Sequence, residues 1–131
     1  MFAFAGVLAL AVILAGVSAQ AEDKDKVPTI KEVMQKAHAK DSLRVTVAKA
    51  VKAKDWDEAA KEVKEWEKLG DALEKNTPKK GEPDSWKQKT TAYNKTLKTL
   101  AEAVKDNDAK KATGALSKIN SMCGSCHKEH K

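Results

Sequence analysis

The chain has 131 residues with 25 basic and 19 acidic side chains, three histidines and two cysteines, for a net charge of +6. That length holds one small domain, and a basic surface favours acidic protein partners or an anionic membrane face. Nucleic acid is set aside as a partner, because the lysines are interspersed with acidic residues along the whole chain, Arg44 is the only arginine, and no aromatic residues interleave with the basic ones.

Residues Met1 to Ala21 carry no charge, run apolar through Leu8 to Leu14, and end in small residues, so they read as a secretory signal peptide with cleavage after Ala19 or Ala21. No Lys or Arg precedes the apolar run, and an uncleaved anchor is the alternative, since about 20 apolar residues can span a bilayer. Cleavage leaves residues 22–131 as the mature domain, exported to the periplasm, with no stable membrane insertion and the whole net charge retained.

Strand signals are nearly absent, and Ala, Lys, Glu and Leu dominate, so the domain reads as all-α. A first helix is predicted from Thr29, its N-cap, to Lys54, with Ile30, Val33, Met34, Ala37, Val45, Ala48 and Val51 facing inward. Asp41 and Arg44 interrupt that stripe and suggest a bend near Asp41-Ser42 or a polar neighbour. A second helix follows Asp55 as N-cap and runs to Lys75, burying Trp56, Ala59, Val63, Trp66, Leu69 and Leu73. Residues 76–83 hold two prolines and a glycine and form a loop. A third helix opens at Asp84 or Ser85 and runs to Lys105 with Trp86, Tyr93, Leu97, Leu100, Ala101 and Val104 inside. Asp106-Asn107-Asp108 make a tight link, and the fourth helix carries Ala112, Leu116, Ile119, Cys123, Cys126 and His127 on one stripe. Four helices with short links predict an antiparallel four-helix bundle.

The most specific feature is Cys123-Gly124-Ser125-Cys126-His127. The pattern Cys-x-x-Cys-His is that of c-type heme attachment: each thiol forms a thioether to one vinyl group, and the adjacent imidazole becomes an axial iron ligand. Cys123 and His127 are four apart and Cys126 three from Cys123, so all three share one helical face. Three other chemistries use the same residues. They are a thioredoxin-like dithiol, which needs a neighbouring βαβ unit; a zinc site of Cys123, Cys126, His127 and His130, with His130 near a fraying end; and a local disulfide.

With its motif near the C-terminus of a four-helix chain, the sequence resembles the class II cytochromes c, the family of cytochrome c prime and its low-spin relatives. The resemblance rests on the pentapeptide, on Trp86 after the proline-containing loop, and on Thr29-Ile30-Lys31-Glu32-Val33-Met34. It implies one heme c held by Cys123 and Cys126, with His127 as one iron ligand and Met34 as the other. In the high-spin branch the position of Met34 is apolar and the iron stays five-coordinate. His38, one turn after Met34, competes as ligand, can bind a propionate, or faces water, the ordinary expectation for it. High-spin relatives tend to carry an arginine ahead of the distal residue, where this chain has Lys31. Arg44 is then the better candidate for a carboxylate, beside an ordinary surface role.

The function implied is a periplasmic electron carrier, not an enzyme, cycling one electron through a six-coordinate His/Met heme. The alternative is a five-coordinate protein that binds nitric oxide or carbon monoxide. Redox partners with acidic docking surfaces would meet Lys118, Lys128 and Lys131. Relatives often pair through their first two helices, so a homodimer using Leu43 or Trp56 is a further expectation.

Overall fold

The computed structural model describes residues 26–131, so the expected signal peptide, Met1 to Ala21, lies outside the described residues. Five helices and no strand occur among them: α1 (Ile30–His38), α2 (Leu43–Ala53), α3 (Trp56–Lys75), α4 (Pro83–Lys105) and α5 (Ala109–His130). Together α2 to α5 pack as a helical bundle, α3 on α4, α4 on α5, α2 on both α3 and α5, with α1 laid against α3 and α2.

The single first helix expected from Thr29 to Lys54 is two helices. α1 starts on a capping box, in which Glu32 N–H donates to Thr29 Oγ1 at 3.2 Å and Thr29 N–H donates to Glu32 Oε2 at 2.7 Å. These hydrogen bonds hold the Glu32 carboxyl below its ordinary value. The helix stops where Ala39 turns extended, and Ser42 opens α2 by accepting from Val45 N–H and Thr46 N–H through its carbonyl, each at 3.0 Å. Asp41 and Ser42 compete with the helical backbone through their short polar side chains, so the interruption falls where the apolar stripe lapses. It also resets the helical phase. Val47, Ala50 and Val51 are buried, while Val45 is half-buried and Ala48 exposed, contrary to the continuous register expected.

Two junctions use the same device. At α2–α3, Lys54 sits at φ 57°, Lys54 N–H donates to Val51 O, and Asp55 N–H reaches Ala50 O at 2.9 Å. At α4–α5, Asn107 sits at φ 54°, with Asp108 N–H on Ala103 O at 2.9 Å. Both are Schellman closures. In both, the next residue is an aspartate whose carboxylate caps the new helix, Asp55 on Glu58 N–H and Asp108 on Lys111 N–H. So short a link between helices that pack together reverses the chain.

The core is built from Val33 and Ala37 of α1, Val63 and Trp66 of α3, Leu97 and Leu100 of α4, and Ala112 and Ile119 of α5, with neighbours of the same stripes. Gly70 lets α3 and α4 approach: a Cβ there would meet Asn94 Oδ1 and Leu97 Cδ1. Asn76 ties the entry of α1 to the end of α3, donating from Nδ2 to Pro28 O and Ala72 O, both at 2.7 Å.

Candidate functional site

An apolar cavity of ≈ 180 Å³ lies between α1, α3, α4 and α5. Met34 and His38 line it from α1, Leu73 from α3, Lys89, Thr90 and Tyr93 from α4, and Ile119, Met122, Cys123, Cys126 and His127 from α5. All four residues singled out from the sequence, Met34, Cys123, Cys126 and His127, thus border one space, although Met34 and His127 come from opposite ends of the domain. Cys123 and Cys126 are half-buried free thiols, His127 is exposed, and Met34 is half-buried against the core.

The helix positions the pair directly. Cys123 Sγ lies 3.7 Å from Ile119 O, one turn back, as expected for a thiol lying along its own helix. Burial pushes the Cys126 thiol up from its ordinary value, with the nearby Lys89 ammonium opposing. Lys89 itself bridges Ser125 Oγ at 3.0 Å and Glu129 Oε1 at 3.3 Å, bracketing Cys126 between two helices.

His38 does not face water as expected. Its Nε2 lies 2.8 Å from Tyr93 Oη, and Trp66 Nε1–H donates to the same oxygen at 2.6 Å. The three rings meet edge-on, His38 at 5.7 Å from each of the other two. Burial, with Arg44 and His127 nearby adding, pushes the imidazole down to about 4, so His38 is neutral at physiological pH. Burial likewise raises Tyr93 well above the ordinary phenol value and keeps it protonated. His38 Nδ1 is buried and has no hydrogen-bond partner among the described residues.

Arg44, offered above as a carboxylate binder, donates from Nη1 to Asn120 Oδ1 at 3.1 Å and so takes the ordinary role of joining α2 to α5. Lys31 is exposed, and so are Lys118, Lys128 and Lys131.

His130 also differs from expectation. Its side chain is 2% exposed and is anchored: Nδ1 donates to Lys80 O at 2.9 Å, Nε2 lies 3.2 Å from Ser85 Oγ, and the ring stands edge-on to Trp86 at 5.3 Å. Ser85 Oγ donates to Glu129 Oε2, whose carboxyl the Ser85 and Lys89 contacts hold low. The last turn of α5 is therefore fastened to the α3–α4 loop and the start of α4. Gly81, at φ +89°, makes room for it, since a Cβ there would meet His130 Nδ1 and Glu129 O. Lys89, Met122 and the His130 anchor were not anticipated. Their spacing was the available signal: Met122 follows Ile119 by three, Lys89 precedes Tyr93 by four, and His130 follows Cys126 by four.

Two of the three competing chemistries, the dithiol and the zinc site, lack their settings. Among the described residues no strand exists to build a βαβ unit, and no three His, Cys, Asp or Glu side chains converge as metal ligands. His130, needed for the zinc set, is engaged with Lys80 and Ser85 instead. The residues present do fit a c-type heme. An apolar cavity has two thiols three apart on one wall, an imidazole beside them, a thioether across it, and a buried polar atom, His38 Nδ1, on its lining without a protein partner.

No curated protein and no solved structure matches the chain. Residues 81–131, which include all of α4 and α5, match the family model described as Cytochrome C'. Together with the helical bundle and the Cys-x-x-Cys-His pentapeptide on its last helix, that match is consistent with the class II cytochrome c family.

Proposed function

We propose that the protein is a periplasmic c-type cytochrome that carries single electrons and is not an enzyme. The observation that carries this is the convergence of Met34, Cys123, Cys126 and His127 on one apolar cavity. Cys123 and Cys126 would hold one heme c through thioether bonds, with His127 and Met34 as its axial ligands. Bound there, the heme supplies an iron that takes up and returns one electron, and thioether ligation favours the reduced form. The apolar lining contributed by Leu73, Ile119 and Met122 keeps water away from that centre. Tyr93 and His38 stay uncharged, with His38 Nε2 held against Tyr93 Oη and its Nδ1 left toward the cavity. Exposed Lys118, Lys128 and Lys131 on and beside the last helix would guide acidic redox partners into weak, salt-sensitive encounters.

One observation favours a second reading. The family model matched is Cytochrome C', and if Met34 leaves the iron five-coordinate, the site would bind nitric oxide or carbon monoxide. The visible spectrum of protein made in a host that attaches c-type heme separates the two. A low-spin spectrum indifferent to carbon monoxide, converted by Met34→Ala to a high-spin one that responds to it, is expected for the electron carrier. A native spectrum that already shifts with carbon monoxide assigns gas binding, and protein without heme ends both.

A further inference from the structure

The Trp66–Tyr93–His38 chain has a direction that its chemistry fixes. The indole N–H of Trp66 is a donor only, so at 2.6 Å Tyr93 Oη must accept from it. Tyr93 then has one proton to place, and among the described residues the one polar atom within reach is His38 Nε2 at 2.8 Å. When Tyr93 donates, every polar atom of the pair Trp66–Tyr93 is satisfied and Nε2 is an acceptor. A neutral imidazole carries a single ring proton, which is then on Nδ1. The opposite tautomer would leave both the Tyr93 proton and the Nδ1 lone pair buried without partners, two orphans in place of one. Trp66 is fully buried and Tyr93 nearly so, which leaves water little part in relieving either.

The one remaining orphan is thus an N–H, on a residue that lines the cavity. We propose that His38 is a hydrogen-bond donor to the occupant of the cavity, its Nδ1–H held in that tautomer by Tyr93 and Trp66, and is not an iron ligand. This donor role rests on the cofactor reading above. It requires that the occupant present an acceptor atom beside His38, which can be a carboxylate of the cofactor or an exogenous ligand held on the Met34 side. A nitrogen that bears a proton has no lone pair to give a metal, so the competition between Met34 and His38 falls to Met34.

The test begins with the His38 tautomer, read from long-range nitrogen–proton correlation spectra of the reduced, heme-attached protein labelled with 15N-histidine, as the carbon monoxide complex if the iron is open. A protonated Nδ1 with an unprotonated Nε2 is expected, and Tyr93→Phe should shift the ring toward the Nε2–H tautomer. A protonated Nε2 in the native chain, or iron on either nitrogen, overturns the proposal. A merely space-filling His38 would not respond to Tyr93→Phe in this way.

The acceptor is then located with His38→Leu. In the Met34→Ala background, loss of a donor to bound carbon monoxide moves the C–O stretching band to higher wavenumber. If that band stays while His38→Leu changes the midpoint potential of otherwise native protein, the acceptor is a cofactor carboxylate. If neither moves, His38 donates to nothing in the cavity and the proposal fails. Failure of the cofactor reading looks different: mass spectrometry of the denatured protein shows no covalent heme, while the tautomer remains readable in the heme-free chain.

Discussion

Replacing His130 by alanine should loosen the last turn of α5, which carries His127, without unfolding the bundle. The imidazole, 2% exposed, makes a 2.9 Å hydrogen bond to Lys80 O, a 3.2 Å contact with Ser85 Oγ and an edge-on contact with Trp86 at 5.3 Å. One hydrogen bond at about 1 kcal/mol and an aromatic pair at about 0.5–1.5 kcal/mol total roughly 2 kcal/mol. Because these contacts join a helix end to a loop, their loss appears as local opening. At about 1.4 kcal/mol per factor of ten, backbone amides of residues 127–131 should exchange with solvent roughly 30-fold faster. The thermal midpoint should fall by far less than a global loss of that size requires. Hydrogen–deuterium exchange of the heme-attached protein measures this, and His130→Asn, which keeps a donor toward Lys80 O, should recover part of the protection. A folded His130→Ala protein whose terminal amides exchange within threefold of native would show that the anchor holds nothing.

Gly81→Ala should reproduce the same exchange signature, because the positive φ costs about 1 kcal/mol and the new Cβ meets the His130 ring. Tyr93→Phe strands the buried Trp66 N–H at a cost of about 2 kcal/mol, so at about 4–8 °C per kcal/mol the unfolding midpoint followed by far-ultraviolet circular dichroism should drop by roughly 10 °C. The Glu32 carboxyl is held low by its capping hydrogen bonds, so its support of α1 is complete above the ordinary carboxylate value and is lost as pH falls through the lowered one. Glu32→Gln, which preserves the cap, should flatten that acid-side loss of α1 helicity; an unchanged pH profile refutes the assignment. In chain expressed without heme attachment, Cys126 should alkylate more slowly than a free thiol at neutral pH, and Lys89→Met should slow it further by removing the charge that opposes the effect of burial. A faster reaction in Lys89→Met would contradict this.

Helical periodicity made most of the bundle legible. The stripes Ala59–Val63–Trp66–Leu69–Leu73 and Trp86–Tyr93–Leu97–Leu100–Val104 are buried as spaced, and Asp55 and Asp108 cap the helices they precede. The interruption near Asp41-Ser42 was visible as a lapse in the stripe. Its consequence, a new phase that buries Val47 and Ala50 and exposes Ala48, was not, because a four-residue break rotates everything after it. The four residues named for cofactor binding do border one cavity, since a pentapeptide on a helix and a matching stripe on another determine their own facing. His38, Arg44 and His130 were harder. Each is a polar side chain whose partner lies more than 40 residues away in sequence, at Tyr93, Asn120 and Lys80 or Ser85. Local spacing says which face such a residue is on and nothing of what stands opposite.

The break between α1 and α2 leaves Met34 and His38 on a helix of nine residues. Helices shorter than about 12 residues are marginal in water on their own, so α1 holds its shape by docking on α3, by its Thr29–Glu32 cap and by the Asn76 tether to Pro28. The remaining wall of the cavity belongs to long helices that share the main core. The two sides of the cavity therefore differ in kind: the α1 wall depends on docking for its helical form, while the thiols sit on α5, a helix of 22 residues. If a bulky planar guest is bonded to α5 first, the nine-residue α1 is the element that would have to close over it.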